Sequence, residues 1–343
     1  MVKNTCALFS GKFIGSILLL MFSFQLSISW AETSPEAVFK LLNFSEQEKQ
    51  DVLNGKIISR KAKERSDKEL AVTLAFRINT DSKLLRNNFL KGVGIDKPDD
   101  IISYHFISSE SNFPILQLTP DELQELEEYR KVGSGNSLNL SAAEIKVFNA
   151  LAKKESGEKN HTAIAKHLQS VLKARYEAYR QGGTAAIGAY QRDDNEQYRL
   201  GAYFNKTSQA IIPALSTLFP ELYKVVKEYP KYMPSGLQES FILLKMTIQG
   251  KLAFAMEHRL GMQEKGAEIM ISRYFYVSHT LNGQQATGML LKNGEDSIAV
   301  INMRASSDAI TGFGSSTKHF IGRQLLEGSL TEFYQSVQKK YGR

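Results

Sequence analysis

The chain predicts an α+β fold: an antiparallel curved sheet with a long C-terminal helix and a helical insertion in the middle. Three observations carry that expectation. Apolar residues alternate with period two over residues 56 to 80 and again from 239 to 305, the spacing of strands with distinct faces. Between 119 and 235 the spacing is helical, and it becomes helical again from 315 to the end.

Residues 1 to 31 read as a secretory signal peptide. Lys3 and Lys12 supply a basic start, Phe13 to Ile28 is mostly apolar, and Ser29-Trp30-Ala31 is a small-x-small cleavage site. A retained anchor is the alternative, but Ser16, Ser23, Gln25 and Ser27 dilute a run already short of the roughly 20 apolar residues of a span. Cleavage after Ala31 leaves 343 − 31 = 312 residues and removes the only Cys and the only Trp. A chain without cysteine relies on a buried core, and a cysteine-free exported chain points to the periplasm or secretion. The formal charge falls from +7 to +5 with the loss of Lys3 and Lys12. Acidic residues break up the densest basic run, 56 to 69, so nucleic acid is not expected as a partner and that run reads as a solvated hairpin.

Residues 32 to 118 form the first part of the α+β core. A short helix over 36 to 53 precedes two strands, 55 to 61 and 69 to 80, joined at Ser66 and Asp67. Asp81 and Ser82 can cap a helix through Phe89, and 99 to 109 returns as a strand. The helical insertion covers 119 to 235. It opens with Thr119 as cap, Pro120 at the first helical position, acids in the first turn and Gly133 after the end. Ser141 and Glu144 have capping-box spacing. Ile164, Leu168, Val171, Leu172 and Tyr179 form one stripe that stops at Gly182-Gly183. Two further helices are expected over 195 to 210 and 220 to 228.

Residues 236 to 343 complete the core as a meander and a terminal helix. Ile242, Leu244, Met246 and Ile248 share one strand face; Leu252, Phe254, Met256, His258 and Leu260 share one on the next strand, opposite Glu257 and Arg259. Strands near 269 to 281, 284 to 292 and 297 to 305 follow. In the last helix Phe320, Leu325, Leu326, Leu330, Phe333 and Val337 outline an apolar side.

Strands with a short helix near the start, then a meander and a long C-terminal helix, resemble the START-like, or helix-grip, fold over roughly 55 to 110 and 239 to 343. The segments YEAYRQGG, SRYFYVSH and NMRASSDAITGFG also resemble those of exported bacterial proteins of unassigned function. The helix-grip resemblance implies a hydrophobic or amphipathic ligand in a cavity between the sheet and the C-terminal helix.

The candidate ligand-binding residues are His258, Arg273, Tyr274, Tyr276, His279 and Arg304. His258 alternates with Leu252, Phe254 and Met256 and should point inward, as a satisfied core histidine or as a ligand contact. Arg273 stays charged if buried and then needs a carboxylate of the protein or an anionic ligand head group. Either the odd face with Arg273 and His279 lines a cavity, or the even face with Tyr274, Tyr276 and Ser278 does so while Arg273 meets an outer helical layer. Arg304 raises the same question, with Asp308 four residues on as a ready ion-pair partner.

Gly312 and Gly314 before Ser315 to Lys318 lack phosphate-loop spacing. His161 and His167 lie off a common helical face, no metal site is expected, and no cofactor is implied. No cysteine nucleophile or G-x-S-x-G elbow is present, although a hydrolase triad can assemble in space. The leading expectation is a binding protein for a hydrophobic or amphipathic small molecule, an envelope lipid among the options. A structural or adaptor protein of the envelope, touching a membrane or a partner, is the alternative, with an unrecognised hydrolase as a third.

Overall fold

The computed structural model describes residues 32–93, 100–108, 112–133, 138–154, 157–193 and 196–341. The leader expected over 1 to 31 lies outside them. In chain order the elements begin with α1 (Pro35–Leu41), α2 (Glu46–Leu53), β1 (Ile58–Lys61), β2 (Glu69–Ile78), α3 (Ser82–Leu90) and β3 (Ile101–Phe106). The middle holds α4 (Pro120–Glu125), α5 (Glu127–Arg130), α6 (Ala142–Lys154), α7 (Gly157–Gly182), the ribbon β4 (Tyr190–Gln191) with β5 (Gln197–Tyr198), α8 (Leu200–Ser216) and α9 (Pro220–Glu228). The chain closes with β6 (Gln238–Ile248), β7 (Lys251–Glu264), β8 (Ala267–Val277), β9 (Gly283–Asn293), β10 (Asp296–Ser306) and α10 (Ser315–Tyr341).

The fold is α+β, as the periodicities predict. Eight strands form one curved antiparallel sheet in the order β1-β2-β10-β9-β8-β7-β6-β3. Strands from before and after the helical middle therefore share one ladder: β2 pairs with β10 over ten residues, and β3 closes the far edge against β6.

Both faces of the sheet are covered. On one face α1, α2, α7, α8 and α9 bury residues such as Val38, Tyr179, Phe204 and Val225 against Phe254, Leu260, Ile271 and Val300. On the other, α3 and α10 bury Leu85, Phe89, Leu326 and Leu330 against Leu70, Leu74, Met270 and Ile301. These are called below the middle-helix face and the C-terminal-helix face. With layers on both sides, β2, β7 and β10 are buried along nearly their whole length, polar residues included.

Local chemistry sets the boundaries. Ser45 and Glu48 form the capping box of α2, Thr119 and Glu122 that of α4, and Ser141 with Glu144 repeats the exchange at α6. Gly183, which follows α7, has φ +60, and a Cβ there would lie 2.1 Å from the Tyr229 carbonyl oxygen; only glycine permits both the turn and the approach. Three readings differ from the structure. The single helix expected over 36 to 53 is broken into α1 and α2, the first insertion helix breaks at Leu126 into α4 and α5, and the helix expected from 195 begins only at Leu200, after β5.

The terminal helix touches the sheet along a narrower stripe than expected. Leu326, Leu330 and Val337 are buried and Phe333 is partly so, whereas Phe320 and Leu325 are 56% and 67% exposed. A helix lying along one strand, with Gly322 against Leu70 and Tyr334 against Phe76, buries only residues three, four and seven apart. The predicted basic hairpin between β1 and β2 is where its start is anchored. Glu64 accepts hydrogen bonds from Arg323 at 2.7 Å and meets His319 at 3.0 Å.

Candidate functional site

Antiparallel register places Arg304 opposite Gln285, Gln285 opposite Arg273, and Arg273 opposite His258. Directly opposed residues share a face, so these four form one polar row across β10, β9, β8 and β7, on the middle-helix face. The structure thus brings His258 and Arg273 together and puts Arg304 two strands away, but beneath the inserted helices and on the side opposite α10.

Tyr179 of α7 joins the row. Arg273 Nη1 donates to the Tyr179 hydroxyl at 3.0 Å, and that hydroxyl lies 3.0 Å from His258 Nδ1. With its lone pair taken by the guanidinium, the phenol's single proton goes to Nδ1. His258 is therefore the neutral tautomer with its proton on Nε2, donated to Glu239 at 3.0 Å. Its ring stacks on Phe241 at 4.2 Å and an interplanar angle of 4°. Burial disfavours the imidazolium and outweighs the Glu239 carboxylate, lowering the His258 pKa to about 4. Burial would raise Glu239, but the hydrogen bond from His258 and the charge of Arg180 hold it below the ordinary range.

Arg273 is 1% exposed and, among the described residues, no carboxylate pairs with it. Its Nε donates to Gln285 at 2.8 Å, its guanidinium lies 5.3 Å from the centre of the Phe204 ring, and Nη2 has no hydrogen-bond partner among the described residues. Arg304 does have a carboxylate, that of the fully buried Glu69 at 3.1 Å. The expected Arg304–Asp308 pair does not form: Asp308 accepts instead from Lys68 and Arg192.

Strict alternation fails at Phe275. Met256 opposes Tyr276 and Glu257 opposes Tyr274, which leaves Phe275 as the extra residue of a bulge. Phe275 and Tyr276 consequently both enter the middle-helix core, whereas Tyr274 packs against the cluster of Ile242, Leu244, Ala255 and Val277 on the other face. The odd and even faces weighed from the sequence are therefore mixed. His279 lies beyond β8, six residues from Arg273 and roughly 20 Å along the chain direction. It bridges Leu138, and its Nε2 meets the Leu252 carbonyl oxygen at 3.0 Å.

The C-terminal-helix face carries its own polar group. Glu257 and Arg259, on the face opposite His258, are 1% and 4% exposed because α3 covers them. Arg259 Nε donates to Glu257 Oε1 at 2.9 Å, and its Nη1 donates to the carbonyls of Phe89 and Val93 at the end of α3, at 2.6 and 3.0 Å. Ser272 also donates to Glu257 Oε1, at 2.5 Å, while Oε2 has no partner among the described residues. Glu257 sits opposite Ile242 on one side and Tyr274 on the other, so this half-satisfied carboxylate borders the apolar cluster. The partly buried apolar side chains packed on that cluster, Ile101, Tyr104, Met246, Ile248, Tyr274 and Leu281, come from β3, β6, β8 and the segment after β8. The sequence signal was available in the alternation that sets Glu257 apart from its apolar neighbours, but it reads as solvent exposure when a second covering layer is not foreseen.

Of the hydrolase elements, His258 does meet a carboxylate, but its second nitrogen faces Tyr179 in place of a serine. Among the described residues no group of three metal-ligating side chains converges, and no described helix is long and apolar enough to cross a membrane. No protein-family model matches this chain, and no curated protein matches it either.

Proposed function

We propose that this is an exported binding protein for a hydrophobic or amphipathic small molecule, an envelope lipid within that class, held on the sheet face that carries the C-terminal helix. The observation behind the reading is the apolar cluster of Ile242, Leu244, Ala255 and Val277, which partly buried side chains of β3, β6 and β8 cover, bordered by a buried carboxylate oxygen without a donor among the described residues. An apolar surface with one convergent polar group suits a ligand with an apolar body and a hydroxyl or amine head. Tyr274 is the sequence-selected residue that faces it. His258, Arg273, Tyr276 and Arg304 serve in this reading as the rigid backing of the sheet.

Native and denaturing mass spectrometry of the protein purified from its own compartment tests this. A discrete adduct that disappears on denaturation is expected, together with saturable uptake of N-phenyl-1-naphthylamine by the stripped protein. Ala255→Phe, which puts a ring inside the cluster, should abolish both while leaving the circular dichroism spectrum unchanged. A clean mass without probe uptake, or an Ala255→Phe protein that binds like the wild type, would overturn the reading.

A further inference from the structure

On the opposite face, and independent of the proposal above, a cleft of about 170 Å³ opens between α6, α7 and the segment that follows α7. Its polar lining is Ser141, Glu144 and Arg175; its floor is Phe275, delivered there by the bulge in β8. Arg175 is 9% exposed and its guanidinium lies against the rings of Tyr190 and Tyr276, whose centres are 5.4 and 4.7 Å away.

The guanidinium is only partly used. Nε donates to Glu144 Oε1 at 3.0 Å, and Nη2 donates to Glu144 Oε2 at 2.5 Å and to the Asn139 carbonyl at 3.2 Å. Nη1 donates to none of the described residues and lies 3.6 Å from where a Cβ on Gly188 would sit. The absent side chain at Gly188 is what leaves this corner open to the cleft. Glu144 also accepts from the Ser141 amide at 2.6 Å, which fixes the carboxylate in place. The site is therefore a pre-positioned cation and anion side by side, held rigidly before any ligand arrives.

We propose that this cleft binds a small zwitterion, a free amino acid with a short side chain, whose carboxylate takes Arg175 Nη1 and whose ammonium faces Glu144. A simple carboxylate would gain the guanidinium but sit against Glu144, and a simple amine would meet the reverse. A ligand carrying both charges satisfies the pair without leaving either opposed. The cleft has room for several waters and so for a solute of a few non-hydrogen atoms. Phe275 and Ala178 supply an apolar wall for a methyl-sized side chain.

Titration calorimetry on the full-length mature chain tests this with L-alanine, acetate and methylammonium as probes. L-alanine should bind saturably, with the two single-charge probes at least about tenfold weaker. Gly188→Val places a side chain against Nη1 but not between Glu144 and the Nε and Nη2 atoms that bind it, and Ala178→Leu fills the cleft from α7. Each should weaken L-alanine binding by at least about tenfold at an unchanged melting temperature, and the second stands in if the first does not fold. Acetate binding as tightly as L-alanine, no saturable heat with L-alanine up to about 50 mM, or wild-type affinity in a folded cleft-filling variant would each overturn the assignment.

Discussion

The proton on the Tyr179 hydroxyl decides the state of the buried polar row. Because Arg273 donates to that oxygen, His258 must accept at Nδ1, and protonating it would set two hydrogens against each other inside the core. The folded protein holds the His258 pKa at about 4 against an ordinary 6.5. Between those values the unfolded chain binds a proton that the folded one refuses. The contribution to stability is thus fully present above pH 6.5 and is lost as pH falls toward 4. That gap is worth about 3 kcal/mol. Urea unfolding at pH 7 and pH 5 should show the wild type losing more stability on acidification than His258→Gln does, and equal losses would refute the tautomer assignment. The sharing of a face by His258, Arg273 and Arg304 is only partly legible in the sequence. Alternation puts each on an inward face, but which strands adjoin is a long-range matter. Tyr276 was assigned alongside Tyr274 because a single extra residue in the register leaves no mark in the spacing of the side chains. Arg175 was missed although it interrupts the apolar stripe of its helix between Leu172 and Tyr179, the pattern of a buried charge with a partner elsewhere.

Elements were easier to read than faces, because caps and periodicity are local. The capping boxes, the stop at Gly183 and all five strands of the meander follow from residues within a turn or two of each boundary. The width of a buried stripe is different, since it depends on what the element lies on. In α10 the apolar residues outnumber the contacts available on one strand, so Leu325 stays in solvent while its neighbour Leu326 is buried. Leu326→Ala should cost about 2–5 kcal/mol, the usual range for emptying a core site. Leu325→Ala should stay within about 0.5 kcal/mol. Denaturant midpoints for the two variants separate these outcomes, and a comparable loss at Leu325 would place the helix in a different rotation about its axis. Phe313, Phe320 and Ile321 lie exposed near the same end, so Leu325 belongs to an apolar surface that does not stabilise the fold.

At the scale of the whole molecule, the helical middle is an insertion in the sequence and a layer in the structure. Sequence spacing marks residues 119 to 235 as a separate block, because nothing local tells that its stripe will be buried by strands formed more than sixty residues later. In the fold that stripe has no core of its own. Ile164, Leu168, Leu172 and Tyr179 share one cluster with Phe241, Phe254, Met256 and Phe275 of the sheet, and Tyr179 closes the hydrogen-bonded row that joins β7 to β8. The sheet in turn is incomplete without β1, β2 and β3, which come from the other side of the insertion. Neither part can lose its structure without exposing the apolar surface of the other, which couples them into one cooperative unit. Differential scanning calorimetry of the chain from residue 32 onward should therefore give a single peak whose calorimetric and van't Hoff enthalpies agree. Two separable transitions, or a helical fragment 119 to 235 that melts cooperatively when expressed alone, would show that the block carries its own core, contrary to the shared one seen here.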